Sequence, residues 1–262
     1  MGSGYSGTTF LDLLLGSHPA MRGVGELRSF DEFVEEDGRC TCGTTASSCP
    51  FWDRVRGGLG RSFRLYPPEA TVPVVVERTT RLLRAVAAAS TDVIVDSSKW
   101  VQRTELLAAT GQFDCTVIHL VRDGRGVLAS RLRRGLDATA SIEMWCRQNR
   151  RILAWLDGSP GVRHTSLRYE DLAQRPVPVL RDLCRLIGVD FDPRMLEFRR
   201  VEHHLVAGNP MRFDGGSAIV VDQRWRSELS DEHLRCFDRI AGSLNSQLGY
   251  PPDQVGSRWR DR

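Results

Sequence analysis

The chain has 262 residues, of which 41% are apolar and 26% are charged, and its net charge is +3. This composition excludes a disordered chain and is typical of a folded protein with a large core. The basic residues are spread along the chain and no apolar run approaches the ~20 residues of a membrane span, so we expect no nucleic-acid and no membrane partner. Lys99 is the only lysine among 36 basic residues, the others being arginines.

Apolar patterning divides the chain into alternating helices and strands. Helices are predicted, in chain order, over residues 8–16, 74–90, 99–110, 126–134, 142–156, 177–187 and 231–248. Short buried strands are predicted over residues 92–96, 115–121 and 162–167. The alternation predicts an α/β fold with a parallel sheet, in which ligands bind at the carboxyl ends of the strands. No stretch demands a domain boundary, so residues 1–262 are expected to form a single domain.

Four of the seven cysteines lie singly in strand-like or helix-like segments: Cys115, Cys146, Cys184 and Cys236. Isolated cysteines of this kind are typical of small buried apolar side chains in a reducing compartment. The sequence does not open with the basic and apolar regions of a secretory signal. We therefore expect a cytoplasmic localisation.

A glycine-rich segment, Gly2-Ser-Gly-Tyr-Ser-Gly-Thr-Thr9, precedes the first predicted helix. Its glycines allow backbone amides to approach an anion closely at a helix N-terminus. The spacing is that of a Walker A loop, but Thr8 stands where that motif has its lysine. A flexible Gly-Ser linker is the alternative interpretation. A phosphate loop ordinarily follows a strand, so we expect the first strand to be missing, because the start was assigned too late or the chain is truncated.

A second segment, Val117-Ile-His-Leu-Val-Arg122-Asp-Gly-Arg-Gly-Val-Leu-Ala-Ser130, gives a strand, an arginine at its end and a serine on the next helix. Together with the Ser6-Gly-Thr-Thr9 loop, it resembles the sulfotransferases that use 3′-phosphoadenylyl sulfate (PAPS). Other segments agree in order and spacing: His18-Pro19, Gly25-Glu26, Asp96-Ser-Ser-Lys99, Arg168-Tyr-Glu-Asp-Leu172 and Gly208-Asn-Pro-Met-Arg-Phe213. The resemblance covers essentially the whole chain. It implies a three-layer P-loop-type α/β fold with a central parallel sheet flanked by helices.

The resemblance also implies which residues bind PAPS, a co-substrate that the family uses without a metal. The 5′-phosphosulfate is expected on the loop residues Gly4, Tyr5, Ser6, Gly7, Thr8 and Thr9. Arg122 and Ser130 are expected to bind the 3′-phosphate, because a guanidinium offers a bidentate contact and the hydroxyl eight residues on can face the same point. Arg212 is similar to the family's late arginine that closes over the nucleotide. Surface arginines without a ligand are the alternative.

Sulfuryl transfer to a hydroxyl needs a base for the acceptor proton. The Gly25-Glu26 pair resembles the Gly-Glu base of the tyrosylprotein and glycosaminoglycan sulfotransferases, and Glu26 is our candidate. An exposed loop glutamate is the alternative. The weaker rivals are His18, His203 and His204, whereas His119 lies on a predicted central strand and is interpreted as a core histidine.

Lys99 is the second catalytic candidate. It lies just past a predicted strand end, at the same edge of the sheet as the phosphate loop and Arg122. A compact ammonium can follow charge that develops on the sulfuryl group or the bridging oxygen, which a planar guanidinium cannot do in the same space. In the family the residue before Ser-Gly-Thr is usually lysine or arginine, and here it is Tyr5. Lys99 or nearby arginines would then supply the charge.

A separate cluster, Cys40-Thr-Cys42-Gly…Cys49-Pro-Phe-Trp52, has three closely spaced cysteines. They suggest zinc, but no fourth ligand is evident at metal spacing, so we predict a structural role and no metal. A local disulfide under oxidising conditions stays open.

The sequence thus predicts a PAPS-dependent sulfotransferase that acts on a hydroxyl of a small molecule or glycan. A P-loop phosphotransferase or nucleotide hydrolase is the first alternative, in which Asp96 at a strand end would bind Mg²⁺. A non-catalytic nucleotide-binding protein is the second. The sequence leaves the acceptor and the oligomeric state open.

Overall fold

The structure is a computed structural model that describes residues 1–60, 62–91, 93–214 and 221–252. Within these residues the strands are β1 Met21–Gly25, β2 Val93–Asp96, β3 Thr116–Val121 and β4 Arg163–Arg168. The α-helices are α1 Thr8–Gly16, α2 Phe30–Glu35, α3 Pro50–Leu59, α4 Val72–Ala89, α5 Val101–Ala109, α6 Gly124–Leu132, α7 Ala138–Asp157, α8 Tyr169–Gln174, α9 Pro176–Ile187, α10 Trp225–Glu228 and α11 Asp231–Gln247.

The described strands form two parallel pairs, with helices packed around them. β1 pairs with β2, and β3 pairs with β4. The first residue lies beside β3: the Met1 ammonium donates to the Ile118 carbonyl, and the Leu120 amide donates to the Met1 carbonyl at 2.8 Å. The α/β class and the parallel pairing are confirmed, although the described strands make two pairs and not one continuous sheet. The missing first strand and the single domain stay predictions.

Four apolar clusters hold these elements together, of which the smallest joins α5, β3 and α7. The central cluster surrounds α1, whose residues are all buried, and includes Leu14 and Phe198. A second cluster joins α2, α3 and α4 around Trp52. A third joins α6, α7 and α11 around Trp145 and Phe237. Each fully buried leucine or phenylalanine contributes about 1.5–3 kcal/mol to stability, so α1 is held firmly with its first turn at the cavity described below.

The strand β1, like the helices α2 and α3, is absent from the sequence prediction, which assigned no helix or strand between residues 16 and 74. Its sequence, Met-Arg-Gly-Val-Gly, does not alternate apolar and polar side chains. Gly23 is present because the strand lies close against α1 at this point. A Cβ at Gly23 would lie 2.3 Å from the Asp12 Oδ1 atom on α1. The predicted strand 92–96 corresponds to β2, and Asp92 lies outside the described residues.

Helix starts also differ from the predicted ones, because aspartates cap the first turns. The Asp123 carboxylate accepts from the Arg125 amide at 3.0 Å, and α6 begins at Gly124 instead of residue 126. The Asp137 carboxylate accepts from the Ala140 amide at 2.8 Å, and α7 begins four residues before its predicted start. In the described part of the chain, no helix has both the length and the apolar character needed to cross a membrane.

Candidate active site

A cavity of about 980 Å³ opens where the phosphate loop, the start of α1 and the ends of β1, β2 and β3 meet. Among the described residues, its lining carries seven cationic side chains: Arg28, Lys99, Arg122, Arg133, Arg134, Arg199 and Arg224. Two carboxylates, those of Glu26 and Asp222, also line it. An excess of positive charge in a partly enclosed cavity favours a ligand with several negative charges.

The phosphate loop takes the form expected for anion binding. Gly7 is the N-cap of α1 and has a left-handed φ of 93°. A Cβ at this position would lie 2.6 Å from the Tyr169 Cδ2 atom, so both the backbone angle and the space require glycine. The first-turn amides of α1 therefore face the cavity at the positive end of the helix dipole.

Five of the six predicted loop residues line the cavity, namely Gly4, Tyr5, Gly7, Thr8 and Thr9. Ser6 is buried behind them, where its hydroxyl lies 2.7 Å from the Ser3 hydroxyl. The Ser6 side chain therefore contacts another part of the loop and does not line the cavity.

Arginines surround Tyr5, which stands where the resemblance implies a lysine or arginine. Its φ is 68°, a left-handed angle that is uncommon for a residue with a side chain. The guanidinium groups of Arg131 and Arg134 lie 5.8 and 5.2 Å from the centre of its ring. The Tyr5 carbonyl accepts from Arg122 Nη1 at 3.2 Å. Three arginines thus place positive charge around the loop, and two of them, Arg122 and Arg134, line the cavity.

Arg122 and Ser130 lie together as the sequence predicted. Arg122 follows the carboxyl end of β3, and its guanidinium packs on the Tyr169 ring with the carbon 4.9 Å from the ring centre. Ser130, on α6, donates to the Gly126 carbonyl at 2.8 Å and accepts from Arg133 Nη2 at 3.1 Å. Both side chains line the cavity, and Arg133 is a third donor there that sequence reasoning missed.

Asp222 occupies the centre of this arginine group. Its carboxylate lies 2.8 Å from Arg224 Nε, 3.1 Å from Arg122 Nη2 and 3.6 Å from Arg133 Nη2. The hydrogen bond from Arg224 first, and then the charge of Arg122, hold the pKa of Asp222 well below its ordinary value. The group is therefore an ionised carboxylate on three arginines. No motif in the sequence marks Asp222, because it lies in an irregular segment about 90–100 positions from Arg122 and Arg133, and only Arg224 is a near neighbour along the chain.

Glu26 and Lys99 form an ion pair at the other side of the cavity. The Lys99 ammonium donates to Glu26 Oε1, and Arg28 donates to Glu26 Oε2 through Nε at 3.1 Å and Nη2 at 3.0 Å. Both candidates follow strand ends, and β1 pairs with β2 so that Gly25 lies opposite Asp96. The parallel register therefore brings together two residues that are 73 positions apart. Lys99 has a left-handed φ of 62°, a strained angle typical of functional positions.

Asp12 connects the elements that carry this pair. It is fully buried on α1, and its Oδ2 atom accepts from the Gly25 amide at 3.1 Å and the Ser97 hydroxyl at 2.6 Å. Burial raises the pKa of Asp12 to about 7. The residue therefore fixes the ends of β1 and β2, one position before Glu26 and two before Lys99. Sequence reasoning missed it because it stands in an otherwise apolar helix.

Arg212 does not line the cavity in this structure. Its Nη1 atom donates to the Gly208 carbonyl at 3.2 Å, and its guanidinium packs on the Phe213 ring at 4.6 Å. The same loop does reach the cavity through Gly208–Met211, and the Asn209 amide donates to the Thr9 hydroxyl at 3.0 Å.

The rival bases lie elsewhere. His18 bonds to the Asp190 carbonyl at 2.7 Å and His203 to the Phe198 carbonyl at 2.7 Å, and neither lines the cavity. His119 is fully buried beside Asn149, and burial lowers its pKa to about 4, so it is the core histidine that the sequence predicted.

Asp96, the magnesium candidate of the alternative function, is engaged by other groups. Its Oδ2 atom accepts from Arg103 Nε at 3.1 Å and Nη2 at 3.0 Å, and its Oδ1 atom accepts from the Ser98 amide and hydroxyl. Asp96 does not line the cavity. The donor set therefore does not fit a magnesium site at the phosphate loop.

Comparison with known proteins agrees with this geometry. Residues 75–193 match the model of a family described as the sulfotransferase family. The chain is 29% identical over 162 residues to carbohydrate sulfotransferase 5 of Mus musculus, covering 51% of this chain and 41% of that protein. It is 25% identical over 171 residues to carbohydrate sulfotransferase 6 of Homo sapiens, covering 52% and 42%. The aligned segment thus spans less than half the length of these relatives.

Solved structures match over nearly the whole chain. The sulfotransferase domain of the Synechococcus PCC 7002 olefin synthase has a TM-score of 0.58 and 23% identity, covering 92% of each chain. The sulfotransferase domain of the curacin biosynthetic pathway has a TM-score of 0.58 and 20% identity, covering 96% of this chain and 97% of that one. The chain therefore has the sulfotransferase fold. The resemblance to the sulfotransferases that the sequence motifs indicate is confirmed.

Proposed function

We propose that this chain is a sulfotransferase that moves the sulfuryl group of PAPS to a hydroxyl of a glycan or small molecule. The proposal rests on the presence of three groups of residues in one cavity. A single cavity holds an anion-binding helix start, a group of arginines around Arg122 and the Glu26–Lys99 pair. Together these supply binding for a nucleotide with two phosphate groups, a base and a cation for the leaving oxygen.

The nucleotide would lie between the phosphate loop and the arginine group. The amides of the loop and of Thr8 and Thr9 would bind the 5′ end, and Arg122, Ser130 and Arg133 the 3′-phosphate. PAPS supplies an activated sulfuryl group: the acceptor oxygen forms a bond to sulfur while the bond from sulfur to the bridging phosphate oxygen breaks. The electron pair of that bond stays on the bisphosphate product.

Glu26 takes the acceptor proton in this reaction. Its Oε1 atom is held by Lys99, and its Oε2 atom faces Arg28, whose side chain is 36% exposed. The Glu26 side chain itself is 8% exposed, so an acceptor hydroxyl would reach Oε2 by taking the place of one of the Arg28 hydrogen bonds. Lys99 keeps two further N–H donors beyond the one given to Glu26, and these neutralise charge on the sulfuryl or bridging oxygen.

A glycan acceptor is supported by Trp100 and by the names of the relatives. Trp100 lines the cavity directly after Lys99, is 47% exposed, and has the Arg28 guanidinium 5.7 Å from its ring centre. A half-exposed aromatic ring next to the base offers a flat surface for the apolar face of a sugar, with polar groups at its edge. The matched relatives are carbohydrate sulfotransferases.

The test is incubation with PAPS and a panel of glycans and small hydroxyl compounds, followed by mass spectrometry for an added sulfuryl group. Glu26→Gln should abolish most of the product, while Glu32→Gln, an exposed glutamate on α2, should leave it unchanged. Bisphosphate release without a sulfated acceptor in any reaction would contradict transfer to a hydroxyl.

Calorimetry separates the sulfotransferase from the alternative functions. We expect adenosine 3′,5′-bisphosphate to bind and magnesium ATP to bind much more weakly. The opposite order would favour a phosphotransferase. Tight bisphosphate binding without turnover of PAPS over the whole panel would favour the non-catalytic nucleotide-binding protein. The cytoplasmic localisation stays a prediction.

A further inference from the structure

Three cysteines and a histidine meet outside the active-site cavity. Cys40 and Cys42 lie in the turn after α2, Cys49 is the N-cap of α3, and His204 comes from a segment 155 positions further along the chain. One ligand atom from each of the four residues lies within 4.8 Å of every other. Cys40, Cys49 and His204 are buried, and Cys42 is half-buried.

Four of the six distances between these atoms are close to those of a tetrahedral zinc site, and the other two are within 4.8 Å. The Sγ atom of Cys49 lies 3.6 Å from that of Cys42 and 3.7 Å from that of Cys40. The Nδ1 atom of His204 lies 3.3 Å from Cys49 Sγ and 3.7 Å from Cys40 Sγ. Zinc bonds of about 2.3 Å to sulfur and about 2.0 Å to nitrogen place tetrahedral ligand atoms about 3.5–3.8 Å apart. A disulfide, by contrast, needs sulfurs about 2.05 Å apart.

The histidine is oriented as a metal ligand would be. Its Nδ1 atom faces the sulfurs, while its Nε2 atom lies 3.0 Å from the Glu202 carboxylate. The ring stacks on Phe51 with centres 4.9 Å apart and planes 13° apart. A carboxylate on the outer nitrogen holds the ring orientation and raises the basicity of the inner nitrogen, as is common for zinc-bound histidines.

We propose that Cys40, Cys42, Cys49 and His204 bind one zinc ion. Binding forms three Zn–S bonds and one Zn–N bond, and the three thiol protons pass to solvent. Four protein ligands close the coordination sphere, so the site is structural and leaves no position for a reacting water. The sequence prediction of no metal depended on the lack of a fourth ligand at metal spacing, and the fold supplies that ligand from a distant segment.

Such a site would link the α2–α3 region to a segment that reaches the active site. The Thr41 hydroxyl donates to the His203 carbonyl at 2.6 Å and accepts from the Leu205 amide at 2.9 Å. Four residues later, the Asn209 amide bonds to Thr9 of the phosphate loop. Zinc would therefore hold in place the chain that lines one wall of the cavity.

The first test is metal analysis of the full chain, purified with reductant and without a metal-affinity tag. We expect about one zinc per chain by mass spectrometry of the elements. Replacement by Co²⁺ should give the visible absorption of a tetrahedral site together with thiolate-to-metal charge-transfer bands. These readouts do not depend on turnover of PAPS, so the zinc site and the proposed function can fail separately.

Two variants test the ligand set. Glu202→Gln changes an exposed side chain and should weaken zinc binding about 10–100-fold in competition with a chelator. Cys42→Ser should lower the zinc content strongly, whereas Cys236→Ser, a half-buried cysteine on α11, should keep one zinc per chain. Glu232→Gln, an exposed glutamate on α11, is the control for Glu202.

The proposal would be overturned by a wild-type chain that takes up neither zinc nor Co²⁺ with its thiols reduced. A disulfide between two of Cys40, Cys42 and Cys49 in protein purified with reductant would overturn it as well. Equal zinc affinity in the wild type and Glu202→Gln would refute the role of the carboxylate–histidine pair.

Discussion

Asp222 places a carboxylate where the proposed function needs a phosphate. Its side chain is 20% exposed and lies on Arg122, Arg133 and Arg224. A 3′-phosphate that binds Arg122 would have to share these arginines with it or displace it. Asp222→Asn removes one negative charge, keeps nearly the same shape and leaves three arginines for the ligand. We therefore expect tighter binding of adenosine 3′,5′-bisphosphate.

The size of the effect follows from the separation of the charges. A phosphate on the outer edge of Arg122 would lie about 5 Å from the carboxylate, and Coulomb's law then gives about 0.8 kcal/mol per pair of unit charges at a dielectric constant of about 80. For a phosphate dianion this is about 1.7 kcal/mol, or roughly a 15-fold lower Kd. Calorimetry of the wild type and the variant measures it directly.

The control is Asp182→Asn. It breaks the exposed Asp182–Arg185 ion pair on α9 and should leave the Kd for the bisphosphate unchanged. Because the effect is electrostatic, the difference should shrink as salt is added. Weaker or unchanged binding in Asp222→Asn would refute the reasoning and show that the carboxylate positions the arginines and does not compete with the ligand.

The other predictions concern the Glu26–Lys99 ion pair, the buried Asp12 and Gly7 of the phosphate loop. Lys99→Arg should lower kcat about 10²–10³-fold with a smaller change in the KM for PAPS, and full turnover in a coupled assay would contradict a role at the reacting oxygen. Asp12 has a pKa near 7 in the folded chain and an ordinary pKa of 3.8, so the folded state keeps a proton that the unfolded state releases. Stability should therefore fall by up to about 4 kcal/mol as pH rises from about 4 to about 7, and Asp12→Asn should flatten this slope in urea titrations. Gly7→Ala should abolish bisphosphate binding and lower the Tm, whereas Gly60→Ala, with a φ of 88° and no atom within 4 Å of its Cβ, should affect only stability, by about 1–3 kcal/mol.

Local patterns in the sequence predicted the elements whose side chains face a core. The helix over residues 8–16 was predicted with its observed bounds, and the strand over 115–121 corresponds to β3. Both are mainly apolar segments, interrupted only by short polar positions such as Asp12 in the helix and His119 in the strand. β1 could not be found this way, because its Gly23 is selected by contact with Asp12 across the helix–strand interface.

The sequence predicted that the phosphate loop, Lys99 and Arg122 lie at one edge of the sheet, but it did not predict the side-chain contacts between the candidate residues. Motifs identified Glu26, Lys99 and Arg122 one by one. The contacts between distant segments were not predicted, because no local pattern in the sequence encodes them. The pairing of β1 with β2 brings Glu26 to Lys99, and an irregular segment brings Asp222 to Arg122. His204 reaches the three cysteines in the same way.

The geometry also explains why a chain so rich in arginine keeps one lysine. Glu26 already accepts a two-pronged contact from Arg28 on one carboxylate oxygen, so a second planar guanidinium would compete for the same directions. An ammonium can bind the other oxygen and still point two donors elsewhere. Lys99 reaches this place from a strained left-handed turn directly after β2. In the proposed reaction, with Tyr5 leaving the loop without its own cation, the Lys99 ammonium would supply positive charge beside Glu26.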